Sequence, residues 1–292
     1  MGYQYNKTEN CFECTEEKTG VLPQIVWHIT DKCLYHCKYC FATKTDCEVN
    51  ICEIEEFGRK FKQLGVQKID ISGGEPLLYK NLPKLCEYLH AMGTGLTITT
   101  KGVGYRENID WIIDNCNKFT RIICSLDLPD KEMQDNICGH VNTIESVEAI
   151  INELHKKGYK NIRVNTVVTK NLLDDTLLHK LVLKVTSYQC SEWCIVQPHP
   201  ANKKESFDKI AVTEKEFDTV VLKINNIYDG IITKRKIQNY AGYWILFPDN
   251  NFTQHTISEI DIQYPDFLKS SLKDITARIE ENNLWLEMSK SE

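Results

Sequence analysis

Apolar residues along this chain fall into two alternating rhythms. Short β-branched runs predict strands at Gln24–Ile29, Lys68–Ser72, Gly95–Thr100, Arg121–Leu126, Asn161–Thr169 and Trp193–Gln197. Between them apolar positions recur at helical spacing, predicting helices near Glu53–Leu64, Leu82–Met92, Glu107–Cys116, Thr143–Lys157 and Asp174–Val185. Such alternation builds parallel βαβ units, whose right-handed crossovers in series curl a sheet toward a barrel. A full eight-unit barrel takes about 250 residues. Here the sixth strand ends near residue 200. The expected fold is therefore α/β, a partial (β/α)6 TIM-type barrel over residues 21–200. The runner-up is an open doubly wound sheet. Both place ligands at the C-terminal ends of the strands. Residues 1–20 read as an N-terminal extension. After Pro198 the rhythm breaks; a helix is predicted near Glu214–Tyr228 and a strand over Tyr240–Phe247, ended by Pro248-Asp249-Asn250. Residues 201–292 are expected to form a C-terminal cap rather than an independent domain.

Charge narrows the partners. The formal net charge is -6, from 35 basic and 41 acidic residues. Domains that wrap nucleic acid are usually basic overall, so no nucleic acid is expected, although a local basic pocket for one small anion is compatible with this balance. No apolar run approaches the ~18–20 residues needed to cross a bilayer, so no membrane partner is expected. The first 20 residues are polar and show no leader. A cytoplasmic location is the expectation. In that reducing setting the 13 cysteines read as metal ligands or buried thiols rather than disulfides.

Three of them are grouped. The first strand runs into Thr30-Asp31-Lys32-Cys33-Leu34-Tyr35-His36-Cys37-Lys38-Tyr39-Cys40-Phe41, a C-x3-C-x2-C spacing. Three thiolates on one loop can hold three irons of a cubane and leave the fourth open. A zinc site completed by His36, Cys47 or Cys52 fits the spacing as well. The second strand ends in Ser72-Gly73-Gly74-Glu75-Pro76. Its glycines let backbone approach a ligand closely, Glu75 supplies a carboxylate, and Pro76 can start the next helix.

The two motifs, in this order, resemble the radical S-adenosylmethionine superfamily. The resemblance implies a [4Fe–4S] cluster on Cys33, Cys37 and Cys40, with S-adenosylmethionine chelated at the open iron. One-electron cleavage then yields a 5′-deoxyadenosyl radical that abstracts hydrogen from substrate. It places Tyr39 by the adenine, and Gly73, Gly74 and Glu75 at the amino group of the methionine moiety. Ser125 and Asn165 match positions that contact the cofactor's ribose or carboxylate, and Ile195-Val196-Gln197 offers backbone groups to the adenine. An electron donor such as flavodoxin or ferredoxin is implied too.

From His28 to about Phe252 the chain looks most like the viperin branch. The matching residues are Cys40-Phe41-Ala42, Val164-Asn165-Thr166-Val167-Val168, Trp193 with Gln197, Glu214 with Glu216-Phe217, and Gly242-Tyr243-Trp244-Ile245-Leu246. That likeness implies dehydration of a nucleoside triphosphate at its ribose, with Tyr243 at the active site. Three positions depart from the branch. Lys101-Gly102 stands for an Asn-Gly turn, Arg163 for a lysine, and Cys194 for another lysine. Lys101 and Arg163 are then the candidate cations for the substrate, but Arg and Lys differ in reach and geometry. The competing readings are radical chemistry on a peptide or other small metabolite, and a non-catalytic zinc or cluster-binding protein.

Cys11-x2-Cys14 and Cys190-x3-Cys194 are a further candidate metal site, set against four unrelated thiols. Cys86, Cys116, Cys124 and Cys138 are expected to pack as small apolar groups.

Overall fold

The computed structural model describes residues 3–6, 11–14, 22–42, 45–200, 205, 207–237, 244–254, 262–264 and 266–289. A hairpin of β1 (Tyr3–Asn6) and β2 (Cys11–Cys14) comes first. The six expected strands follow as β3 (Gln24–His28), β4 (Lys68–Ser72), β5 (Gly95–Thr100), β6 (Phe119–Ser125), β7 (Ile162–Val167) and β8 (Glu192–Val196). They alternate with α1 (Ile54–Leu64), α2 (Leu82–Ala91), α3 (Arg106–Asp114), α4 (Lys131–Cys138), α5 (Thr143–Lys156) and α6 (Asp175–Ser187). α4 was not expected from the pattern: its eight residues carry few apolar positions.

The last part of the chain comprises α7 (Phe207–Ile210), α8 (Glu214–Asn225), β9 (Ile232–Arg235), β10 (Trp244–Leu246), β11 (Phe252–Gln254), β12 (Ile262–Tyr264) and α9 (Leu272–Ser289). Ten strands form one sheet in the order β12-β11-β10-β3-β4-β5-β6-β7-β8-β9. From β10 to β9 every pairing is parallel, so the six predicted strands gain one parallel neighbour at each edge. β11 and β12 continue antiparallel. The architecture is a partial TIM-type barrel, wider by two strands than the sequence pattern implied. Tyr240–Tyr243 of the predicted strand lie outside the described residues, and Trp244–Leu246 form its observed part.

Strand periodicity sorts the side chains. On β3, Ile25 and Trp27 are buried against the helices, where Trp27 meets Phe57 and Phe61 of α1 at ring-centroid distances of 4.8 and 5.1 Å. Val26 and His28 alternate to the other face and line a cavity. Lys60 of α1 fastens the 266–270 segment by donating to the carbonyls of Phe267 (2.7 Å), Leu268 (2.5 Å) and Ser270 (2.8 Å).

Low on the inner face, an ion-paired layer fills the barrel. Glu192 is ion-paired with Arg121 at 2.9 Å and with Arg163 at 3.1 Å, and Thr233 donates to it at 2.6 Å. Among the described residues, no helix is long and apolar enough to cross a membrane.

Candidate active site

The loop after β3 is held on two sides. On one, the C-terminal turn of α4 leaves carbonyls without helical partners. His36 N–H donates to Cys138 O at 2.8 Å and Lys38 N–H to Ile137 O at 3.0 Å. On the other, Gly74 N–H donates to Thr30 O at 2.6 Å and Glu75 N–H to Lys32 O at 2.8 Å. This second contact explains the glycines, and differently from the sequence reading. A Cβ on Gly73 would lie 2.3 Å from Thr30 O, and one on Gly74 would lie 2.2 Å from Lys32 O. Gly73 also has φ +143°. The close approach that needs glycine is to the thiol loop's own backbone, not only to a ligand.

Glu75 is likewise committed. Its carboxylate accepts from Thr100 Oγ1 at 2.5 Å, Lys101 N at 2.9 Å and Leu77 N at 3.2 Å, tying the end of β4 to the end of β5. Burial pushes its pKa up to about 7 against the pull of those donors. The cavity wall does not include it. Glu75→Ala strands two buried backbone donors and a hydroxyl, so we expect a loss of about 2–4 kcal/mol, read as a lower denaturation midpoint at unchanged slope.

The three motif thiols sit on this fixed loop. Cys37 is buried; Cys33 and Cys40 are half-buried. Among the described residues, no three His, Cys, Asp or Glu side chains converge closely enough to hold one metal ion. A cubane asks for another arrangement, in which each thiolate binds its own iron. Three thiols presented by one short, backbone-anchored loop match that donor set.

A cavity of about 220 Å³ opens at the C-terminal ends of the strands. Tyr39, Cys40 and Phe41 form one wall of it; Ser72, Ser125, Asn165 and Gln197 come from the strand ends. Asn165 Oδ1 is buried without a hydrogen-bond partner, an acceptor aimed where a ligand hydroxyl or amine would satisfy it. Gln197 is anchored: its Oε1 accepts from Ile237 N at 3.1 Å. Its N–H donates to Arg235 O at 2.8 Å, and Val196 O accepts from Val168 N at 2.9 Å. Those two backbone groups, expected to serve a ligand, are used by the sheet instead.

Of the candidate cations, Lys101 reaches the cavity but is paired, its ammonium 3.0 Å from Asp127 Oδ2. Tyr39 O–H donates to the same oxygen, and Val167 N donates to Oδ1 at 2.9 Å. Burial is the largest influence and works against the Lys101 charge, but Asp127 together with the nearby Cys138 and Cys37 thiols holds the ammonium well above the usual lysine range. Arg163 corrects the sequence reading: it lies in the ion-paired layer with Glu192, below the cavity and outside its wall. Tyr243 lies outside the described residues.

Three residues were missed. Asp127 was visible at a strand end but carried no motif. Arg235 lines the cavity from β9, a four-residue strand too short and too charged to register as a sheet element. His199 lines it from the loop after β8. Two of the four thiols of the further candidate metal site are described. Cys194 packs with Val196 and Val167, whereas Cys190 joins the main core, 3.6 Å from the Tyr228 hydroxyl. The side chains of Cys11 and Cys14 lie outside the description. Cys86, Cys116 and Cys124 are buried among apolar residues as expected.

A parallel half-barrel with its cavity and its thiol loop on the same rim is the arrangement of an α/β protein that takes its ligands at the C-terminal ends of the strands. The Radical SAM superfamily model matches residues 27–181, and the chain belongs to that superfamily. It is 34% identical over 153 residues to a GTP 3′,8-cyclase of Saccharophagus degradans, covering 49% of this chain and 44% of that protein. It is 26% identical over 246 residues to an S-adenosylmethionine-dependent nucleotide dehydratase of Lacinutrix mariniflava, covering 79% and 50%. The chain thus spans about half the length of these curated relatives. Streptococcus suis SuiB bound to S-adenosylmethionine superposes with a TM-score of 0.70 at 16% identity, over 92% of this chain and 67% of that one.

Proposed function

We propose that this chain is a radical S-adenosylmethionine enzyme acting on a nucleotide, with Cys33, Cys37 and Cys40 holding a [4Fe–4S] cluster. The observation that carries the reading is the shared enclosure. Tyr39 and Cys40 of the thiol loop face one cavity with Asn165, whose Oδ1 has no partner, and with Arg235. When bound, the cluster and S-adenosylmethionine supply one-electron cleavage of the sulfonium and hydrogen-atom abstraction. The protein's own work is positioning. The Ser72–Glu75 turn is locked backbone to backbone to the loop 30–41, and Ser72 at its start faces the cavity beside Cys40, where the methionine end would lie. Tyr39, fixed through Asp127, presents its ring to the adenine. Ser125 and Asn165 offer polar groups to ribose hydroxyls. Arg235 is suited to an anionic substrate group, because a guanidinium binds phosphate bidentately. Tyr243, matching a viperin active-site tyrosine, belongs to this proposal, as does a flavodoxin or ferredoxin as reductant.

The substrate class draws on the relatives, whose names specify nucleotide reactions. Anaerobic incubation with a reductant and each nucleoside triphosphate tests it. One triphosphate should accelerate release of 5′-deoxyadenosine and lose one water, as in viperin-like dehydration. A product without water loss would favour ring closure instead. If no nucleotide changes the release rate, the nucleotide reading falls. Arg235→Met should raise the KM for the accelerating nucleotide by roughly 10–100-fold, the worth of one charge-assisted contact.

A further inference from the structure

Among the described residues, two carboxylates line the cavity, Asp127 and Asp70. Asp127 is engaged by Lys101, Tyr39 and Val167. Asp70 is placed by the alternation of β4. Ile69 and Ile71 have no exposed surface and pack toward the helices, so Asp70 and Ser72 face the barrel interior. The two are one pleat repeat apart, about 6.6 Å along the strand. Ser72 opens the turn at the rim, and Asp70 stands one layer deeper. Val26 of β3 and Thr97 of β5 are in register with it.

The bonds to Asp70 come from the next strand. Thr97 Oγ1 donates to Oδ1 at 2.8 Å, and Thr99 Oγ1 stands 3.5 Å from the same oxygen. Among the described residues, no donor reaches Oδ2. The wall it shares includes the apolar side chains of Val26, Ile123 and Ile245. A carboxylate in such surroundings is a strong acceptor in want of a donor, and it repels an anion. Cations are close by. Burial lowers the pKa of Lys68, Asp70 pulls it up, and Arg121, Arg163 and Arg235 push it down. The cavity therefore separates two kinds of contact. Asp70 accepts hydroxyl or amine hydrogens, and the Arg235 guanidinium suits phosphate.

We propose that Asp70 is a specificity-determining residue whose Oδ2 accepts from a ribose hydroxyl of the nucleotide substrate. The inference rests on the nucleotide reading above. Abstraction of a ribose hydrogen requires the sugar to lie next to the cofactor's reactive carbon, and Asp70 is one layer below the rim where the cofactor would lie. An acidic side chain that accepts from a ribose hydroxyl is an established way of holding that sugar. Like charge keeps the phosphates off this layer and leaves them to Arg235.

The test uses the full-length, anaerobically reconstituted protein with S-adenosylmethionine and no reductant, so that binding is read without turnover. Dissociation constants are measured by calorimetry for the triphosphate that accelerates 5′-deoxyadenosine release and for its 2′-deoxy and 3′-deoxy forms. Wild type should bind the ribonucleotide roughly 10–100-fold tighter than at least one deoxy form, the range of one charge-assisted hydrogen bond. Asp70→Ala should weaken the ribonucleotide to the level of that deoxy form and leave the deoxy form nearly unchanged. Asp70→Asn keeps the acceptor for Thr97 and the shape of the side chain while removing the charge. It should fall between the two, and it carries the test if the Ala variant does not fold. A structural role alone would weaken all three ligands alike, and such an unchanged ratio overturns the inference. Equal binding of ribo and deoxy forms by wild type overturns it as well. A loss in Asp70→Ala confined to bases that carry an amino group would move the contact to the base and overturn the ribose assignment. If no nucleotide binds wild type, the nucleotide reading itself fails, and this inference with it.

Discussion

Cys37→Ala is expected to take the anaerobically reconstituted protein from about four irons per chain to near none, and S-adenosylmethionine cleavage to background. The reasoning starts from the loop. Cys37 is the buried member of the three thiols, and the flanking residues His36 and Lys38 are pinned by backbone bonds to α4. A ligand on so constrained a loop has no spare neighbour to replace it within the motif. Cys33→Ala and Cys40→Ala should behave alike, because each thiolate serves a different iron. Cys47→Ser and Cys52→Ser are the controls: Cys47 is half-buried and Cys52 exposed. Both should keep the cluster. Full iron in Cys37→Ala would sink the ligation assignment. Zinc in place of iron, lost in Cys47→Ser or Cys52→Ser, would restore the zinc reading of the same spacing.

The six central strands and five of their helices were legible because each is long enough to show its period. Gln24–His28 and Lys68–Ser72 alternate cleanly between helix-facing and cavity-facing positions. The thiol motif and the Gly-Gly-Glu-Pro turn were legible as chemistry, and the structure brings them together on one rim. Their internal wiring was not legible. Sequence spacing does not show that Gly74 meets Lys32 backbone, or that the Glu75 carboxylate is spent on Thr100 and Lys101, because those contacts join residues far apart in the chain. Arg163 misled for a related reason. Its place on β7 is one pleat repeat below Asn165, and two residues along a strand separate the cavity wall from the ion-paired layer beneath it. Arg235 stayed hidden because Ile232–Arg235 is a strand by virtue of its pairing with β8, not of its own pattern. Tertiary context decides short edge strands.

Asp127→Ala is expected to cost about 3–5 kcal/mol of folding stability, the penalty for leaving a buried charge without its partner. Asp127 has no exposed surface and the Lys101 side chain is only 12% exposed. Removing the carboxylate leaves the Lys101 ammonium facing the Tyr39 ring at 5.9 Å, with the Tyr39 hydroxyl and the Val167 N–H each short of an acceptor. For a domain whose total stability is about 5–15 kcal/mol, that is a large share. The pH dependence has a definite sign. The folded-state pKa of Lys101 is raised, so its stabilising contribution is fully present below the ordinary lysine value and is lost only as pH rises through the raised one. Wild type should therefore show no loss from this pair near neutrality, whereas Asp127→Ala should be impaired there. The double variant Asp127→Ala, Lys101→Met separates a buried-charge penalty from simple loss of packing. Removing both charges should recover a substantial part of the stability lost in the single variant, since well-packed apolar replacements of buried ion pairs are often neutral. Denaturant midpoints of the four proteins close the cycle. A single-variant loss under ~1 kcal/mol would mean the pair is solvated like a surface bridge. A double variant no better than the single one would place the cost in the Tyr39 and Val167 bonds, making Asp127 chiefly the clamp that fixes the aromatic wall of the cavity.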